Sequence, residues 1–201
     1  KRVQSYLKDP LLRKPNFSNS KYAELNFYYC NGLANYLLGE YAICKRDMAS
    51  VKKILDSEYS IRLKREDLYL RVMANLSLCA LQNNEIVEAI AYQLELKNYT
   101  SLYSANESYK NYLTDLLELM IYNATREFKK AFKVISKQLS SSFNNQGQYR
   151  LTQEYTYQVF QTVTAQMELG LFKDAKKTIL SFIAENKKLT KKDAYSYARI
   201  V

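Results

Sequence analysis

At 201 residues with 47% hydrophobic side chains, the chain is long enough for one or two domains or one elongated array, and too apolar to be disordered. Four glycines and two prolines, Pro10 and Pro15 both near the start, are too few to punctuate a β-rich fold. The net charge of +10 is uneven: residues 121–201 hold 14 Lys and Arg against 6 Asp and Glu, whereas residues 1–120 hold 16 against 14.

In chain order, residues 1–19 read as an N-terminal connector and residues 20–201 as an all-α repeat domain. Apolar periodicity predicts a first hairpin from helices over about 20–38 and 41–57, and a second over about 65–82 and 85–97. A third follows over about 106–124 and 127–141, and a fourth over about 149–169 and 172–186. A further helix starts near 191, where Thr190-Lys191-Lys192-Asp193 resembles a capping box. The polar stretch from Ser140 to Gly147 is the clearest loop. No run of eighteen apolar residues exists. Lys1-Arg2-Val3-Gln4 carries no start Met and no apolar signal core, and the last five residues read as helix interior. The expectation is a piece of a longer protein whose open ends favour self-association.

Four turns share one pattern. Leu37-Leu38-Gly39-Glu40-Tyr41, Gln82-Asn83-Asn84-Glu85-Ile86, Thr125-Arg126-Glu127-Phe128 and Glu168-Leu169-Gly170-Leu171-Phe172 each carry an apolar helix into a polar turn and out on a large apolar residue. Three residues later comes a small one: Cys44, Ala89, Ala131 and Ala175, at intervals of 45, 42 and 44. Such regular spacing marks a helical repeat array. A small side chain at that point lets two helices of a hairpin approach closely.

This pattern resembles the tetratricopeptide repeat. Gly170-Leu171-Phe172-Lys173-Asp174-Ala175 and Gly39-Glu40-Tyr41 with Cys44 carry the resemblance, with Gly32 at the small position of the first helix. The period near 44 exceeds that of the family, and the proline that usually closes the second helix of its hairpin is missing. The resemblance implies a right-handed superhelical solenoid of about four hairpins whose first (A) helices line a concave peptide-binding groove. Carried over through the turns, the groove residues are Tyr29, Leu33 and Tyr36; Arg71, Leu78 and Gln82; Leu116, Met120 and Asn123; and Tyr157, Phe160, Thr164 and Glu168. Arg71 and Asn123 are the sharpest of these, able to hold a carboxylate or a peptide backbone.

Enzyme chemistry finds no purchase. The chain has no histidine, so no Ser-His or Cys-His pair and no His metal ligand, and no glycine-rich phosphate loop. No cofactor or metal is expected. Glu66 and Asp67 open a helix, where negative charge suits the dipole. Cys30, Cys44 and Cys79 all fall where buried small residues fit, and are expected as free buried thiols. Lys129, Lys133 and Lys137, with Lys176 and Lys177 and the cluster Lys187, Lys188, Lys191 and Lys192, form a basic series. Its members up to Lys177 lie on the second (B) helices of the hairpins, where lysines usually face water, and the rest cluster at the final turn, so nucleic acid is not the expected partner.

Nineteen tyrosines without a tryptophan supply either groove surface or amphipathic core between hairpins. The leading expectation is a non-catalytic protein- or peptide-binding module, the sensor region of a larger bacterial histidine kinase or regulator. The alternatives are the ligand-binding domain of a cytoplasmic peptide-sensing transcription regulator, and a plain protein–protein adaptor. The compartment stays open, with the extracytoplasmic position placed first.

Overall fold

The computed structural model describes the backbone of residues 20–134 and 153–186, and side chains over 20–134 and 159–184. Every regular element among these residues is a helix, so the fold is all-α. The chain divides into two compact units, with the boundary between Thr114 and Asp115. The connector 1–19, the loop 140–147, the helix near 191 and the lysines from Lys187 onward lie outside the described residues, as does Lys137.

The first unit begins with α1 (Lys21–Leu38), capped by Ser20, whose hydroxyl accepts the Ala23 N–H at 3.2 Å. It turns at Gly39 into α2 (Tyr41–Ser57). A short helix α3 (Tyr59–Lys64) follows, then α4 (Glu66–Gln82), α5 (Ile86–Asn98) and the N-terminal part of α6 (Ser104–Ala124). Helix α1 packs on α2, α2 on α4, and α4 on α5. Sandwiched between α2 and α5, α4 is apolar almost all round. Leu68, Leu70, Val72, Met73, Leu76, Cys79 and Ala80 are all buried. Close approach of α1 and α2 rests on Gly32, where an added Cβ would stand 2.9 Å from the Met48 terminal methyl.

In the second unit, the C-terminal part of α6 is followed by α7, described over residues 128–134, and then by α8 (Gln153–Glu168) and α9 (Phe172–Asn186), which pack on one another. Leu119, Ala131 and Ala165 share a fully buried cluster, flanked by Tyr122 and Val134.

One turn geometry recurs four times. Gly39, Asn84, Arg126 and Gly170 all have left-handed backbones, with φ of +81°, +60°, +60° and +73°. In each, the following N–H reaches back five residues: Glu40 to the Asn35 carbonyl, Glu85 to Ala80, Glu127 to Tyr122, and Leu171 to Gln166, at 2.9, 2.9, 2.7 and 2.8 Å. The left-handed residue bonds three back, to Tyr36, Leu81, Asn123 and Met167. This double closure satisfies the last carbonyls of the outgoing helix. The carbonyl of the next residue then accepts the first bond of the incoming helix, from Cys44, Ala89, Ala131 and Ala175. All four of those small residues are at most 1% exposed. Two residues thus end one helix and begin the next.

Helices α2 and α9 run over the expected residues 41–57 and 172–186, and the other ends that fall within the described residues move by a few positions, while the end expected near 141 and the start expected near 149 lie outside them. The helix α3 was not anticipated from the sequence. It is held by buried Ile61 and by the Arg62 guanidinium, which lies over the rings of Tyr59 and Tyr69 at 5.2 and 5.5 Å. Together with the 21 residues of α6, this extra turn accounts for much of the length between successive left-handed residues.

Candidate functional site

Three helices of the first unit converge on Arg71. Its guanidinium lies over the Tyr109 ring of α6 at 5.7 Å and within 4.0 Å of the Asp67 carboxylate one turn away on α4, and the Tyr29 hydroxyl of α1 is close enough to feel its charge. The Arg71 side chain nevertheless keeps 51% of its surface exposed. A planar cation, set over one aromatic ring beside a carboxylate and still open to solvent, is suited to receive a carboxylate or a peptide carbonyl. Partial burial pushes the Tyr29 hydroxyl above its usual pKa, against the lowering pull of Arg71, so it stays a neutral donor and acceptor at ordinary pH.

The other expected groove residues have varied surroundings. Tyr36 is half-buried, its ring edge-on to Tyr41 at 5.4 Å, and Gln82 is exposed at the end of α4. Asn123 donates its side-chain amide to the Gln161 backbone and side-chain oxygens at 2.9 and 2.8 Å, so that donor joins α6 to α8 within the second unit. Glu168 is exposed at the end of α8, and the side chain of Tyr157 lies outside the described residues. Leu116 and Met120, expected on the working surface, are buried at 4% and 6% exposure. Tyr69, one of the A-helix tyrosines, is also core, with its ring 5.1 Å from that of Tyr99. The long helix α6 turns Leu116 and Met120 onto the packed side.

Two further residues matter here and were not singled out as binding candidates in the sequence. Asp67 and Tyr109 each lie seventeen positions before a left-handed residue, Asn84 and Arg126, and so share one place in the repeat. That shared register was the available signal. Beside them, Glu66 is buried and fastens the start of α4 to the start of α6: it accepts the Leu102 N–H at 3.0 Å and the Asn106 amide at 2.6 Å. Burial works against its charge, but those donors outweigh it and hold the carboxyl below the usual glutamate range. Lys110, buried at 6%, donates to the Tyr99 carbonyl at 2.7 Å and pairs with Glu107. Arg71 therefore projects from a braced helix junction.

The cysteines divide. Cys44 and Cys79 are buried, whereas Cys30 is exposed, which corrects its expected burial. Leu25 and Gly32 lie on the packed stripe of α1, and Cys30 is two residues from Gly32, about 200° round the helix. Lys129, Lys133, Lys176 and Lys177 are exposed on their B helices. Among the described residues no group of His, Cys, Asp and Glu is placed to hold a metal ion, and no helix is long and apolar enough to cross a membrane.

Comparison with known proteins brings no relative to bear: no family model, no curated protein and no solved structure matches the chain.

Proposed function

We propose that the chain is a non-catalytic module that binds peptide or protein segments, built as a solenoid of tetratricopeptide-like hairpins with a period near 44 residues. Four turns with a left-handed residue at the same place, the same two backbone closures and a buried small residue at the same spacing support the repeat reading. The observation that carries the binding reading is Arg71, exposed over the Tyr109 ring of α6, beside Asp67 of α4 and near the Tyr29 hydroxyl of α1. Its natural ligand group is a carboxylate, either the C-terminus of a peptide or an acidic side chain. Tyrosine supplies flanking contact area at low conformational cost. As a module without chemistry of its own, it suits the sensor region of a larger bacterial signalling protein, a histidine kinase or regulator, passing on a ligand-induced change in hairpin packing.

The test is a fluorescence-anisotropy titration with a degenerate pool of short labelled peptides bearing free C-terminal carboxylates, set beside the same pool amidated. Saturable binding is expected, weakened about tenfold or more by Arg71→Ala, since a hydrogen-bonded charged pair is lost. If no member of either pool binds saturably, the peptide-binding reading is wrong.

A further inference from the structure

The small residue that follows each turn is alanine in three repeats and Cys44 in the first. Its counterpart sits on the next A helix, five residues before the left-handed residue. For Ala131 that counterpart is Ala165, five before Gly170, and the two share one fully buried cluster. For Cys44 it is Cys79, five before Asn84. One recurring contact between a B helix and the following A helix therefore holds two methyl groups in the second unit and two thiols in the first.

The thiols are close. Cys79 Sγ lies 2.8 Å from Cys44 Sγ, both side chains are fully buried, and they join α2 to α4 across 35 residues of chain. A disulfide needs about 2.05 Å between the sulfurs, a change that side-chain torsions accommodate when the two Cβ atoms already face each other. We propose that Cys44 and Cys79 are a disulfide-forming pair, and that in the oxidised protein their bond staples the first hairpin to the second.

The chemistry is thiol–disulfide exchange with a small-molecule disulfide such as oxidised glutathione. One cysteine thiolate attacks a glutathione sulfur and expels a glutathione thiolate, leaving a mixed disulfide. The second cysteine thiolate then attacks the protein sulfur of that mixed disulfide and expels the other glutathione. In total two protein S–H bonds are lost, one S–S bond forms, and one small disulfide is reduced to two thiols. In the folded protein the neighbouring Cys44 thiol and burial raise the Cys79 thiol far above its usual pKa, so Cys79 is protonated, and both sulfurs are shielded by burial. Exchange therefore proceeds when the α2–α4 contact opens, or during folding. Exposed Cys30 has no place in the pair.

The experiment refolds the 201-residue chain carrying Cys30→Ser, once in a glutathione redox buffer and once under dithiothreitol. Proteolytic fragments are weighed without reduction, and thermal midpoints are compared. The expected product is an intramolecular fragment linking Cys44 to Cys79, lighter by two hydrogens than its separate peptides. The oxidised protein should melt higher by on the order of 10 °C, since the bond closes a 35-residue loop. Dithiothreitol should reverse the rise, and the Cys44→Ala, Cys79→Ala double variant should lack it. That variant reproduces the Ala131–Ala165 contact already present in the fold. The proposal is overturned if both cysteines are alkylated quantitatively after oxidative refolding and denaturation, or if the linked form melts no higher than the reduced one.

Discussion

Gly39, Asn84, Arg126 and Gly170 adopt one backbone conformation with three different side chains, so the energetic demand on each position differs. Glycine enters the left-handed region without strain, asparagine tolerates it, and arginine carries a cost on the order of 1 kcal/mol. At Gly39 and Gly170 nothing lies within 4 Å of an added Cβ, so substitution there meets only the backbone term. Gly39→Ala and Gly170→Ala should each destabilise the protein by about 1 kcal/mol, and Arg126→Gly should stabilise it by about 0.5–1 kcal/mol. Urea unfolding midpoints check all three. A stabilising Gly39→Ala, or a strongly destabilising Arg126→Gly, would break the claim that the four turns are one device. Arg71 belongs to the same scale, because its worth lies in how Tyr109 and Asp67 flank a single cation without covering it.

Between helices, the decisive contacts are small. Ala89 is fully buried, and its carbonyl accepts the Ser77 hydroxyl of α4 at 2.8 Å, so the α4–α5 hairpin is closed by a methyl group and one hydrogen bond. Ala89→Leu should overpack that contact and cost about 1–3 kcal/mol, seen as a lower urea midpoint with little change in slope. The same substitution at exposed Ala91, on the outer face of α5, should change stability by less than about 0.5 kcal/mol. Much of this layer was legible in the sequence, because turn chemistry and the spacing of Cys44, Ala89, Ala131 and Ala175 are local signals. The helix α3 was not, because it is stabilised by rings and an arginine that meet only in the fold. Nor was the face of α6. Its apolar residues are too many for periodicity to say which side packs, and Leu116 and Met120 went to the core. Arg71 was legible as a candidate and Asp67 lies one turn away on the same helix, but Tyr29 and Tyr109 came near it only through helix packing.

Over the whole molecule, the wealth of tyrosine sets the response to alkali. Tyr29, Tyr69, Tyr92 and Tyr99 all have hydroxyl pKa values raised chiefly by burial. Tyr99, beside Glu66, is pushed up to about 12, and Tyr122 is raised first by its hydrogen bond to Glu118. A raised tyrosine pKa favours the neutral, folded form. That stability is complete below the unfolded value of about 10 and is lost as pH climbs through the higher folded values. The thermal midpoint should therefore fall steeply between about pH 10 and pH 12, and Tyr99→Phe should soften that fall. A midpoint that stays level across this range would contradict the burial of these hydroxyls.

The functional account depends on which face of the chain meets a ligand, and hydrogen–deuterium exchange read by mass spectrometry answers this most directly. With the free-carboxylate peptide pool added in excess, the account predicts slowed exchange in α1 and α4 around Tyr29 and Arg71 and in the first turns of α6 around Tyr109. Exchange in α5 and in residues 128–134 should be unchanged. Protection centred instead on the B-helix surface bearing Lys129 and Lys133, with α1 and α4 unaffected, would contradict a peptide site built on Arg71.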